Sequence, residues 1–392
     1  MSGETRTPLR VGVNLLWLVP GVVGGSEEYT TRALLALAEQ RPSDLDVKLF
    51  ALAQFCEAHP ELAERFDVIA ADMDGRRRPE RVALESTWLP RMLGRHGIDL
   101  VHHAGGVVPP GPAIARFASV LTIHDLQPLV MPENFSVVKR TWLAAMLPRS
   151  ARRARLVLTP SDPASRSVVD LLHVPADRVA TVPHGVEPPD PVDPAHLVEV
   201  RERYRIDGPS ILYPAIPYAH KDHRTLVAAF GRLAAERPEL TLVLTGGPGP
   251  AESDLASAIV ASGFGSQVRR TGRVPWADLD ALYELATVVA VPSRFEGFGA
   301  PALEAMAAGR PLVAADATAL PWVVGDGGVL VAPGDITAWT EALARVLDDP
   351  AEQVRLSEAG RRRAAAFTWQ RTAEALAAGY RRAASMGEDG PQ

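Results

Sequence analysis

The chain has 392 residues, 47% hydrophobic and 22% charged, with 41 basic against 47 acidic side chains and a net charge of −6. That length suits two domains of roughly 150–200 residues each, the composition excludes a disordered chain, and the acidic balance gives no reason to expect nucleic acid as a partner. A single cysteine, Cys56, excludes an internal disulfide and a cysteine-rich zinc site and points to a reducing cytoplasm; nothing near it suggests an activated nucleophile.

Arg6 and Arg10 stand before an apolar run, Val11–Val19, of the kind that opens a secretory signal. Gly12 and Asn14 interrupt it, and Glu27 and Glu28 stand where small residues would be cleaved, so Leu9–Trp17 reads as a first strand. No stretch reaches about 18 uninterrupted apolar residues, so no membrane span is expected. Ser26–Gln40 is a predicted helix, with Ser26 as N-cap and Glu27 and Glu28 in the first turn. Between strand and helix lies PGVVGGSEEY, where Gly24 and Gly25 permit close backbone approach and the first helical amides could hold an anion. Two glycines at such a turn also occur for structural reasons alone. The G-x-G-x-x-G spacing is missing, which speaks against an NAD-dependent dehydrogenase.

Further strands are predicted at Asp46–Ala51, Asp99–His102, Val120–Ile123, Leu156–Thr159 and Val179–Val182, mostly separated by helical patterns. Such alternation indicates a parallel sheet covered by helices. His124 and Asp125 follow the strand Val120–Ile123, where polar side chains face a ligand or simply cap the strand end. EPPDPVDPAH, residues 187–196, places four prolines and three acidic residues in ten positions, which argues against helix or central strand and marks an inter-domain passage. The expected division is an N-terminal domain over 1–190, a linker over 191–205, a second domain over 206–366, and a C-terminal helix and tail over 367–392.

The pattern then restarts. Strand Ile211–Pro214, helix Lys221–Glu236, strand Leu240–Thr245, helix Glu252–Ser262 and strand Gln267–Arg270 come first. Helix Trp276–Glu284, strand Val288–Val291, helix Ala300–Ala308 and strand Pro311–Ala315 follow. Two α/β units in series are expected to form a cleft at the carboxyl ends of their strands, where ligands bind in such folds. Pro350–Ser385 reads as two or three helices and Met386–Gln392 as a frayed end.

Two places in the second half carry charge at a strand end. Lys221, in YPAIPYAHKDH, lies near a helix start, where its ammonium and the helix amides could converge on a diphosphate. A solvated surface lysine is the plain alternative. In PSRFEGFGAPALE, Glu296 and Glu304 stand eight positions apart, with a glycine-bearing turn and a helix start between them. Glu296 is expected in the loop and Glu304 about one turn inside the helix, both facing one ligand. The amides of Phe298 and Gly299, before Ala300, would lie near the positive helix end and could stabilise a leaving diphosphate.

Taken with GVVGGSEEY, TIHDLQPL, LTPSDPASRSVV, VPHGVE, RTGRVPWADLDALYELA and EGFGAPALEAMAAGRPLVAADATALPWVVGDGGVLVAPGD, these segments strongly resemble the GT-B glycosyltransferases of family 4. That family includes sucrose synthase and many bacterial mannosyl- and glucosyltransferases. The resemblance covers nearly the whole chain. It implies two Rossmann-like domains whose parallel sheets face across a cleft, with C-terminal helices crossing back to the first domain. It also implies retaining transfer of a hexose from a nucleotide diphosphate sugar, used as co-substrate, with no bound metal and no separate cofactor.

By position, the resemblance has Glu304 bind the nucleotide ribose hydroxyls, Glu296 face the donor sugar and Lys221 neutralise the diphosphate. The amides of Gly25, Phe298 and Gly299 would contact phosphate or sugar, with Gly24 and Ala300 beside them. His124 would contact the sugar, Asp125 would orient it or reach the acceptor, and Arg273 and Val274 would lie against the base. The family often has an arginine five residues before the lysine, where this chain has Ile216, which leaves Arg294 or Arg273 to assist Lys221. A glutamate common after Leu-Pro is replaced by Trp322. The HKDH form looks most like bacterial mannosyltransferases of polysaccharide assembly, making GDP-mannose the first expected donor and a glycan, lipid-linked or small-molecule acceptor its partner.

Asp72 and Asp74 imitate the metal-binding D-x-D of the other glycosyltransferase fold, but in a loop followed by Arg76, Arg77 and Arg78, and the histidines lack metal-ligand spacing. Residues 76–155 carry 13 Lys/Arg against 5 Asp/Glu. With Trp142, Leu143, Met146 and Leu147 interleaved, that stretch could dock peripherally on anionic lipid, or be a solvated face. A nucleotide-sugar 2-epimerase and a non-catalytic sugar-nucleotide module are the competing readings.

Overall fold

The computed structural model describes residues 7–22 and 24–386, so Arg6 and residues 387–392 of the expected frayed end lie outside it. The chain forms two compact units, Met1–Gly185 with Trp369–Gln392, and Val186–Thr368.

In the first unit β1 (Leu9–Asn14), α1 (Gly25–Gln40), β2 (Leu45–Leu52), α2 (Ala53–Ala58), α3 (Pro60–Ala63), β3 (Asp67–Ala71) and α4 (Arg78–Arg95) come first. Then follow β4 (Leu100–His103), β5 (Ala118–Thr122), α5 (Gln127–Val130), α6 (Val137–Arg153), β6 (Leu156–Thr159), α7 (Asp162–Leu172) and β7 (Val179–Thr181). The seven strands pair in parallel in the order β3-β2-β1-β4-β5-β6-β7. Helices cover both faces, so β4 and β6 are short runs with every residue buried rather than alternating strands.

Three local expectations are corrected here. The first strand ends at Asn14, because Leu15 to Trp17 leave the ladder in a turn closed by Leu18 N donating to Leu15 O (2.9 Å). Ser26 is not the cap of α1. Gly24 takes that place at φ +76°, a conformation that costs glycine little, and Glu27 Oε2 accepts from Gly21 N (2.9 Å). Met146 and Leu147 of α6 turn into the core, whereas Val137, Val138 and Trp142 remain exposed.

The second unit holds α8 (Pro194–Tyr204), β8 (Ser210–Pro214), α9 (His223–Ala234), β9 (Thr241–Thr245), α10 (Glu252–Ser262), β10 (Val268–Gly272) and α11 (Trp276–Leu285). It continues with β11 (Val288–Val291), α12 (Ala300–Ala307), β12 (Leu312–Ala315), α13 (Leu320–Val324), β13 (Val329–Val331), α14 (Ile336–Asp348) and α15 (Pro350–Ala364). Its six strands run parallel in the order β10-β9-β8-β11-β12-β13. The 191–205 segment is mostly helix rather than linker: Pro194 opens α8, where a missing N–H costs nothing, and Asp193 accepts from Ala195 N (3.0 Å).

The last helix, α16 (Trp369–Ser385), packs in the first unit, where α1 is its main helical neighbour. Its buried stripe of Ala373, Leu376, Ala377, Tyr380 and Ala383 repeats at three and four residues. Burying Leu376 contributes about 1.5–3 kcal/mol. Tyr380 Oη bonds His102 Nδ1 (2.9 Å), Thr372 Oγ1 donates to Pro183 O (2.8 Å), and Arg381 grips Asp44 with two bonds of 2.6 and 2.8 Å. The C-terminal crossing back to the first domain is thus present.

In each sheet the chain reverses its direction of winding once, between β1 and β4 and between β8 and β11. At such a point two neighbouring loops leave on opposite sides and open a crevice at the strand carboxyl ends.

Candidate active site

The second crevice carries the charges. After β8 the chain makes a single 3-10 turn, Ala219–Lys221, and Asp222 adopts a left-handed φ of +49° before α9 begins at His223. Lys221 therefore precedes the helix rather than belonging to it. Its Nζ lies 2.6 Å from Glu296 Oε1, in the loop after β11, with the two side chains 18% and 11% exposed. Beneath them Tyr213 Oη donates to Lys221 O (2.9 Å) and bonds Ser293 Oγ (3.0 Å), tying the two loops together under the ion pair. Burial, and then the charge of Glu296, push the Tyr213 hydroxyl far above its ordinary pKa, so it stays protonated. Glu296 N donates to Thr318 Oγ1 (2.9 Å), which fixes the loop from a third side.

Arg294 lies one step away. Its Nε donates to Asp222 Oδ2 (2.7 Å), and its backbone N donates to His220 O (2.8 Å). Asp222, buried, also accepts from Thr225 Oγ1 (2.8 Å). Arg294 is thus committed to Asp222 rather than standing beside the Lys221–Glu296 pair as a spare cation. Behind it a cavity of about 920 Å³ opens against α9, α10 and the start of α14, outside the crevice.

The loop then enters α12 through Gly299, at φ +105° and with Leu320 Cδ2 2.7 Å from where a Cβ would stand, so only glycine fits. Phe298 is buried and edge-on to Trp322 and Phe367, with centroids 6.2 and 5.9 Å away. Its side chain anchors the turn while only its backbone can meet a ligand. Trp322, the departure from the family glutamate, completes that aromatic triad (5.6 Å to Phe367). Pro301 in the first turn of α12 has no N–H, so it adds no unmet donor to the helix start at Ala300. Glu304, on the second turn, accepts from the Tyr283 hydroxyl (2.8 Å). Ile216 packs where Gly249 passes, 2.8 Å from the place of a Cβ. Arg273 is exposed and Val274 half-buried in the turn after β10.

In the first unit, a Cβ on Gly24 or Gly25 would meet no atom within 4 Å. His124 is held by its Nε2 at 3.1 Å from Ala104 O and edge-on to Tyr29 (5.4 Å). Tyr29 in turn stacks on His184 (4.3 Å, 25°) and donates to Val182 O (2.9 Å). Burial lowers His124 to about 4 and His184 to about 3, so both are neutral hydrogen-bonding groups. Asp125 Oδ1 accepts from Gln127 N (2.9 Å) and opens α5. Asp74 accepts from Arg76 N (2.9 Å) in a local turn, and among the described residues no three His, Cys, Asp or Glu side chains could hold a metal ion.

Sequence reasoning had no role for Tyr213, Ser293, Thr318, Tyr283 or His184. Tyr213 gave the one usable signal, a phenol hydroxyl late in a short buried strand that runs into the Lys221 loop. Tyr29 and His184 stood inside quoted motifs, but only the fold stacks them.

Residues 201–363 match the family described as Glycosyl transferases group 1, and residues 23–189 match Glycosyltransferase Family 4. The O-antigen chain mannosyltransferase B of Escherichia coli is 29% identical over 88% of this chain and 93% of its own length. The MMP alpha-(1->4)-mannosyltransferase of Mycolicibacterium hassiacum is 34% identical over 74% of this chain and 72% of its own. A glycosyltransferase crystal structure from Rickettsia africae superposes with a TM-score of 0.74 over 98% of this chain and 100% of that one, at 14% identity, which speaks for the fold. The chain belongs to the group 1 glycosyltransferases of GT-B fold.

Proposed function

We propose that the chain is a retaining mannosyltransferase that takes its sugar from GDP-mannose. The observation that carries this is the Lys221–Glu296 pair at the winding reversal of the second sheet, beside the open start of α12. A donor diphosphate would draw Lys221 away from Glu296, leaving the carboxylate for the sugar hydroxyls while the ammonium and the α12 amides offset phosphate charge. Glu304 would take the ribose. Tyr213 and Thr318 keep the two loops at fixed spacing, so the exchange needs side-chain movement alone.

In the transfer itself the C1–oxygen bond to the diphosphate breaks with oxocarbenium-like charge at C1. The acceptor oxygen attacks from the departing face and its proton passes to a phosphate oxygen. Two mannosyltransferases among the relatives, one of them named for an alpha linkage, support the sugar and the stereochemistry. The HKDH resemblance supports the base.

A thermal-shift panel of nucleotide diphosphates and their sugars tests the donor: GDP-mannose should raise the Tm most. Glu296→Gln retaining near-normal transfer, with another carboxylate covalently labelled, would overturn the same-face mechanism. Release of a free altered sugar without acceptor would make the chain an epimerase. Exposed Val137, Val138 and Trp142 beside Arg140 on α6 support peripheral docking on anionic membrane, which vesicle flotation at low salt tests.

A further inference from the structure

Arg294 has a second surface, away from the Lys221–Glu296 pair. Its Nε is held by the buried Asp222 at 2.7 Å, while neither Nη group has a partner among the described residues. Nη2 lies against the turn at Gly334, 3.4 Å from where a Cβ would stand, and both residues line the cavity behind the crevice. At about 920 Å³ that space has the size of small-molecule sites, which run to about 300–1,000 Å³.

Its floor is the outward face of α9, where Arg224, Ala228 and Arg232 follow at four-residue steps. Two guanidiniums therefore flank one methyl group. Arg224 has no hydrogen bond or ion pair among the described residues, and Arg232 has one bond, from Nη1 to Thr337 Oγ1 (3.0 Å) at the start of α14. One wall is α10, which closes on the floor where Ser262 Cβ stands 3.2 Å from the place of a Cβ on Gly231. Along that wall Ser257 Oγ already donates to Ser253 O (2.9 Å) and Ser262 Oγ to Ile259 O (2.7 Å), so both hydroxyls offer lone pairs only. Asp254, also on this wall and without an ion pair among the described residues, is a third acceptor. The cavity thus has unspent guanidinium donors on one side and acceptors on the other. Its complement is a molecule that is anionic at one end and carries hydroxyl donors at the other. Planar guanidiniums suit phosphate, and none of the described lining residues is an aromatic ring on which a base would stack.

We propose that this cavity binds a small sugar phosphate, which acts as an effector of the active site. The phosphate lies on Arg294, Arg224 and Arg232, and the sugar hydroxyls donate to Ser257, Ser262 and Asp254. Asp222 directly follows Lys221, and Arg294 stands two residues before Glu296, so the Asp222–Arg294 bond joins the same two loops as the Lys221–Glu296 pair. A phosphate on the Nη groups immobilises a half-exposed guanidinium and with it both loops. The donor then meets loops whose ordering is already complete, and each ligand strengthens the other. The site is separate from the donor exchange, and only its coupling to that exchange rests on the transferase reading.

Mannose 6-phosphate, mannose and inorganic phosphate are titrated calorimetrically into the full chain and into three variants: Arg224→Gln/Arg232→Gln, Ala228→Leu and Lys221→Ala. Mannose 6-phosphate should bind the native chain, inorganic phosphate more weakly, and mannose not at all. Its Kd should weaken about tenfold or more in the double variant, which removes charge, and in Ala228→Leu, which fills the floor and leaves the charges in place. Should one of these two fail to fold, the other gives the reading. Lys221→Ala should bind as the native chain does. Mannose 6-phosphate binding lost in Lys221→Ala and kept in the other two would place the anion in the donor site and overturn the proposal. Absence of binding to the native chain also overturns it, and equal affinity for inorganic phosphate overturns the sugar-phosphate assignment. With mannose 6-phosphate at saturation, the Kd of GDP-mannose should fall about fivefold; an unchanged value overturns the effector role. Failure of GDP-mannose to bind removes the donor assignment alone. Amide hydrogen exchange across residues 218–222 and 293–299 then reads the coupling, slowed by mannose 6-phosphate if the loops are joined through Arg294 and unchanged if they are not.

Discussion

The two units wind their sheets alike and finish them differently. At the strand ends of the second unit, Lys221, Glu296, Arg294 and Asp222 are ionised groups that neutralise one another in pairs. At those of the first unit, burial holds His102, His103 and His184 at about 3 and His124 at about 4, and aromatic rings pack against His102, His124 and His184. The difference teaches what each end can bind. On the proposed function, paired charges would exchange partners when a diphosphate arrived, because each ion already has most of its desolvation met. Neutral imidazoles suit hydroxyl groups, whose hydrogen bonds demand direction rather than charge.

Lys221→Ala breaks the charged side of this comparison most severely. It leaves Glu296 without its ion and, on the proposed function, the diphosphate without its cation, so kcat/KM should fall by about 10²–10³-fold. Steady-state kinetics with GDP-mannose check it, and a loss below fivefold would remove Lys221 from the mechanism. Glu304→Gln is milder. The amide oxygen still accepts from Tyr283, so the fold is kept while the proposed grip on the ribose would weaken. Donor KM should rise about tenfold, or 1.4 kcal/mol, with kcat little changed.

Gly299→Ala probes the scaffold under the charges. A methyl at φ +105° and 2.7 Å from Leu320 should destabilise the chain by more than about 1 kcal/mol. Calorimetry should show the Tm of the second unit falling by roughly 2–4 °C, and an unchanged Tm would mean that the turn adapts.

Acid sharpens the neutral side and has the gentlest onset. A histidine whose pKa drops on folding binds fewer protons folded than unfolded, so stability is lost as pH falls below its unfolded value of 6.5. Glu85, raised to about 7 by burial, works in the opposite sense between its unfolded 4.5 and 7. Six imidazoles, with His220 and His223 of the second unit also lowered to about 4, against one carboxyl leave acid destabilising. Denaturant melts from pH 7 down to 4.5 should therefore show declining stability, and His184→Phe should flatten the decline. A stability that rose toward pH 5 would contradict neutral, buried histidines.

Much of the second unit was legible beforehand. Strands such as VVAV and LVLT are continuous apolar runs, and the glycine and the two glutamates of EGFGAPALE lie within one loop and helix. Legibility failed where partners are far apart in the chain. Nothing near Arg294 announces that Asp222 takes it, and nothing near Trp322 announces Phe298 and Phe367. Pro194 misled because a proline-rich passage can also open a helix.

By itself the sequence determined the alternation of strand and helix and the strand-end positions of Lys221, Glu296, His124 and Gly24. Those features follow from local periodicity and turn chemistry, which act over a few residues. Only the tertiary structure decided the ion pairing of Lys221 with Glu296, the stacking of Tyr29 on His184 and the closure of α16 on α1. Each joins side chains from separate elements, and parallel winding, rather than any nearby residue, sets which strand ends become neighbours.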